Sequence, residues 1–75
     1  MNLKAEIDIG LRASNFLKKK YGTVKEMKKY GFDKKVYYRW KEGQAPSPYY
    51  LQLLCELGAD IVYILTGRNG GEKSG

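Results

Sequence analysis

The stretch Thr23–Gly43, TVKEMKKYGFDKKVYYRWKEG, constrains this chain more than any other. It has room for two short helices and carries the start and stop of each. Thr23 can cap the first, and Glu26 three residues later makes a Thr-x-x-Glu capping box. Gly31 stands where the chain must turn sharply, because glycine takes a left-handed conformation without steric cost. Phe32 follows as an inward plug, Asp33 can cap a second helix over Lys34 to Lys41, and Gly43 stops it.

At 100° per residue the second helix divides into two faces. Val36, Tyr37 and Trp40 form one apolar stripe, and Lys35 and Tyr38 point most directly away from it. Lys34 and Lys41 flank the stripe on one side and Arg39 on the other. On the first helix, Val24 and Met27 are core candidates at i, i+3. Met27, Phe32, Tyr37 and Trp40 are the expected core of the unit, with Trp40 an anchor rather than a base-stacking residue. A helix gripped by its apolar side and presenting cations and a tyrosine suits a DNA major groove.

Charge follows the same boundaries. Residues 18–41 hold ten Lys or Arg against Glu26 and Asp33, a net +8. The remaining residues hold four cations and six acids, a net −2, for +6 overall. Positive charge confined to one motif is the electrostatic footprint of a polyanion-binding face.

The order Gly31-Phe32, Tyr37, Trp40-Lys-Glu-Gly43, Pro46-Ser-Pro48 resembles the helix-turn-helix domain of phage repressors and Cro/CI-like regulators. The later run Leu57-Gly-Ala-Asp-Ile-Val-Tyr-Ile-Leu-Thr-Gly67 is similar to the segment closing many domains of that type. Together they cover roughly residues 11 to 67. One departure stands out. The family's small residue in the first motif helix falls on Met27 counting back from Gly31, and on Lys28 counting forward from Thr23. That helix or its turn is therefore about one residue shorter than usual.

The resemblance implies an all-α, lambda-repressor-like bundle of about five short helices over residues 1–67, containing a helix-turn-helix. It also implies sequence-specific binding of double-stranded DNA by a transcriptional regulator, with the helix at about 33–42 in the major groove. Base-reading roles fall on Lys34, Lys35, Tyr38 and Arg39, the last reading guanine or holding phosphate. Lys18, Lys19, Lys25 and Lys41 are the phosphate candidates. One recognition helix covers only a few base pairs, so a homodimer is expected, at least on DNA. The alternative is a protein-interaction module such as an antitoxin, with the last helix and the tail as the partner site.

Outside the motif, residues 1–4 read as loose, and a helix runs from about Ala5 to Lys20, with Gly10 bending or delaying it. Its apolar register is untidy. Leu3, Ile7, Leu11, Leu17 and Tyr21 share one face, and Ile9, Ala13 and Phe16 favour another. Lys18-Lys-Lys20 suits either the helix dipole or phosphate contact. Ser47-Pro48 starts a helix to Leu57 that is apolar nearly all round and so belongs at the bundle's centre, with Cys55 a small core residue. Gln52 and Glu56 mark its wet edge. By propensity Ile61–Leu65 reads as a buried strand; Asp60, Gly67 and the resemblance favour a short helix whose apolar residues mostly complete the core, a dimer patch being the other use. Residues 68–75 read as a flexible tail.

Composition excludes other classes. There is no histidine, which removes the commonest general base and metal ligand, and Cys55 is alone. No nucleophile–base pair is recognisable, so neither an enzyme nor a cofactor, metal or small-molecule ligand is expected. No apolar run reaches the length of a membrane span, and the N-terminus lacks a signal-peptide core, which fits a cytoplasmic protein.

Overall fold

The computed structural model describes residues 3–68 and is all-helical over them, with no strand. The elements are α1 (Leu3–Tyr21), α2 (Val24–Lys29), α3 (Lys34–Lys41), α4 (Pro48–Glu56) and α5 (Ile61–Thr66). No helix among the described residues is long and apolar enough to cross a membrane.

Helix ends follow local chemistry. Thr23 Oγ1 accepts from Glu26 N at 3.2 Å, Asp33 Oδ1 from Lys34 N at 2.7 Å, and Asp60 Oδ1 from Tyr63 N at 3.0 Å. The Thr23 capping box is only half made, because Glu26 Oε2 takes Lys29 Nζ at 2.9 Å instead. Ser47 stands at the cap position of α4 but makes no side-chain cap bond, leaving Pro48 as the start signal.

α2 ends in a Schellman motif. Gly31 N reaches Lys28 O at 3.2 Å and Phe32 N reaches Met27 O at 3.1 Å, with Gly31 at φ 97°. The same pair of bonds closes α3 at Gly43-Gln44 and α4 at Gly58-Ala59. After two of these glycines the next residue is driven inward, Phe32 and Ala59 both being buried.

α1 packs mainly on α3, and its register corrects the expected one. The buried positions are Gly10, Ala13, Ser14 and Leu17, whereas Ile7 and Leu11 stay exposed. Gly10 does not delay the helix, which is already formed at Leu3, within the segment expected to be loose, and runs on through Gly10 to Tyr21. A Cβ at Gly10 would meet Gln44 O at 2.5 Å and Trp40 O at 2.6 Å, so glycine lets α1 lie against the end of α3. Ser14 is buried without penalty because Oγ donates to Leu11 O at 2.9 Å.

The core is aromatic at its centre. The Phe32 ring lies 6.0 Å from both the Trp40 and Tyr50 rings, and Trp40 meets Tyr50 edge-on at 5.5 Å. Met27, Leu17, Leu54 and Ile64 complete it.

The C-terminal half departs from expectation. α4 ends at Glu56, and of its apolar residues only Leu54 is fully buried; Leu51 and Leu53 are half-buried, Tyr49 is 67% exposed and Cys55 is exposed. It is a flank of the bundle, not its centre. α5 is the helix that Asp60 and Gly67 favour, but only Ile64 is buried, and Val62, Tyr63 and Leu65 are 40–50% exposed. Among the described residues these short helices meet neighbours on one side only, which leaves the apolar residues of the other side uncovered. The expected flexible tail falls on residues 69–75, outside the described ones; Arg68, which begins it, donates its backbone N–H to Thr66 Oγ1.

Candidate nucleic-acid interface

The site is built on α3, whose inner side is fixed by Tyr37 and Trp40, 7% and 3% exposed. With that side anchored, helix geometry leaves Lys34, Lys35, Tyr38, Arg39 and Lys41 on the outside, and all five are exposed. Met27 and Phe32 are fully buried behind the turn that sets the angle between α2 and α3.

The outer residues form two flanks. Lys41 Nζ lies about 6 Å from the centroids of both the Tyr37 and Tyr38 rings, which themselves meet edge-on at 5.2 Å. On the opposite flank, Arg39 opens onto a groove of about 210 Å³ shared with Gln44, Ser47 and Tyr50. Gln44 and Ser47 were not legible as site residues, since they lie in the connection beyond Gly43 and only its path brings them beside Arg39.

Between described residues there is one ion pair, Lys29 with Glu26 at 2.9 Å. That bond raises the Lys29 pKa, the hydrogen bond first and the carboxylate's charge second. No ion pair within the described chain neutralises the α3 cations. Unpaired cations on one helix leave a field that a partner of opposite sign can satisfy.

The four phosphate candidates do not form one set. Lys41 lies on α3, and Lys25 is exposed at the start of α2. Lys18 and Lys19 instead line a groove between α1 and α5. Gly10 marks the side of α1 against α3, and Lys19 lies about 180° around the helix from it at 100° per residue. Lys18 Nζ donates to Gly22 O at 3.0 Å and so caps the end of α1, the dipole role of the triplet. Both are therefore removed from the group around α3.

Tyr21 connects α1 to the motif. Its ring stacks on Tyr30 at 4.7 Å, and its hydroxyl is buried with no hydrogen-bond partner among the described residues. Burial pushes its pKa up, with a smaller contribution from Tyr30.

Among protein-family models, curated proteins and solved structures, no match to this chain was found.

Proposed function

We propose that the chain is a sequence-specific double-stranded DNA-binding regulator of phage-repressor type, reading the major groove with α3. The observation that supports this best is a helix anchored by Tyr37 and Trp40 whose exposed residues include Tyr38 and four cations with no ion pair among the described residues. Lys34, Lys35 and Tyr38 are the base-reading residues. Arg39, beside Gln44 and Ser47, joins Lys41 and Lys25 in holding phosphate. An α-helix with its side chains is about 10–12 Å across, which fits the roughly 12 Å width of that groove. Binding as a two-fold pair would set two such helices about 34 Å apart on one face of the duplex.

Selection from random duplexes tests this reading. The expected product is an inverted repeat. Lys35→Ala or Tyr38→Ala should cost about 1–3 kcal/mol on the selected site and relax preference at one or two positions. If both variants lose the same affinity for selected and scrambled duplexes, α3 does not read bases.

A second reading, a protein-interaction module, is favoured by the exposed apolar side of α5, where Val62, Tyr63 and Leu65 are uncovered. The two readings use different surfaces and are compatible.

A further inference from the structure

We infer that the groove between α1 and α5 is a docking site for an acidic peptide segment of another protein, one that inserts a large apolar side chain. The groove encloses about 560 Å³, more than twice the one beside Arg39 and within the range of binding sites. Phe16, Tyr63 and Ile64 supply its apolar lining, and Arg12, Lys18 and Lys19 stand around it against one acid, Asp60. Val62 and Leu65, also exposed on α5, lie outside its lining.

Arg12 is the residue that gives the groove its chemistry. Its Nε donates to Ile64 O at 2.8 Å, and its guanidinium carbon lies 5.9 Å from the Tyr63 ring centroid. Nη1 sits beside Gly67, 3.3 Å from where a Cβ would be. A guanidinium held on these sides is oriented before a ligand arrives, so little side-chain freedom is lost when a carboxylate binds. Lys19, exposed on the same wall, adds a second charge without such fixing.

Two other occupants fit less well. In a two-fold pair the same patch meets itself, so a second copy would bring these cations onto their own counterparts. A nucleic-acid backbone satisfies the cations but leaves the apolar lining unused. Arg12 also lies about 160° around α1 from Gly10, on the side turned from α3. A duplex on α3 and a peptide in the groove can therefore be held together.

Random peptide display on the full chain, followed by amide shift mapping of the enriched peptides, tests this without DNA. Enriched sequences should combine Asp or Glu with Trp, Phe or Leu and shift Asn15, Phe16 and Tyr63. Lys19→Glu should weaken them about tenfold, and Arg12→Gln by at least as much. Lys19 is exposed, so its variant keeps the test valid should Arg12→Gln loosen α5. Enrichment without acids, shifts confined to α2 and α3, no enrichment, or an unaffected Lys19→Glu would each overturn the proposal. So would a single-stranded oligonucleotide that gives the same shifts at equal strength, or the same shifts arising from self-association alone.

Discussion

The α2–α3 unit and the α4–α5 half divide apolar and charged residues in opposite ways. In α2–α3 four apolar residues are deeply used: Met27, Phe32, Tyr37 and Trp40 are all buried, while Tyr30 and Tyr38 stay exposed and the cations are left outside. α4–α5 is richer in apolar residues, yet only Leu54 and Ile64 on its helices are buried, while Tyr49, Val62, Tyr63 and Leu65 face solvent. Burial is therefore set by how many sides of a helix have neighbours, not by how apolar it is. The first region uses its buried apolar residues to hold one helix still. The second leaves many of them on the surface.

Substitutions can break this contrast. Trp40→Ala removes the anchor that meets both Phe32 and Tyr50, and should cost about 3–5 kcal/mol, enough to unfold much of a small domain. A thermal midpoint that holds while DNA binding alone is lost would make Trp40 a contact residue. Gly10→Ala should come next, at about 1–3 kcal/mol, because its Cβ would press on two backbone carbonyls that cannot turn aside. An unchanged denaturant midpoint would mean α1 does not lie against the end of α3.

Tyr21→Phe should stabilise, by about 1 kcal/mol, since it removes a buried hydroxyl without a partner. It carries a pH signature as well. With the folded pKa raised above the ordinary 10.0, the wild-type fold keeps its full stability below that value. Stability falls as pH rises through the folded pKa, because the unfolded chain ionises first. Melting from neutral to strongly alkaline pH should show a shallower loss in the Phe variant; parallel curves would refute burial as the cause. Leu65→Gln should do least, staying within about 0.5 kcal/mol of wild type in isolated chain. A loss comparable to that of Trp40→Ala would erase the distinction between the two halves.

What was legible in the sequence was mostly local. Thr23, Gly31, Asp33, Gly43, Asp60 and Gly67 each mark a helix end through a bond or a backbone angle that neighbours cannot easily override. The wheel of α3 was legible too, because Trp40 is large enough to decide which side faces in. The face of α1 was not. Its buried stripe is built from Gly10, Ala13 and Ser14, small residues that look neutral in a hydrophobic pattern, while Ile7 and Leu11 stay out. Cys55 and α4 were misplaced for the converse reason, that an apolar segment does not reveal which of its sides lacks a neighbour. Lys19 looked like part of the basic motif by position, and only the packing of α5 on α1 separates it.

The most direct test of the DNA reading is the salt dependence of binding to a selected duplex. If about five or six phosphates are neutralised, log K should fall against log salt with a slope near −5. Lys41→Ala, which removes one phosphate contact from each copy of the pair, should reduce that slope by roughly two, and Lys19→Ala should leave it unchanged. A flat dependence, or no duplex binding even at low salt, would contradict the account.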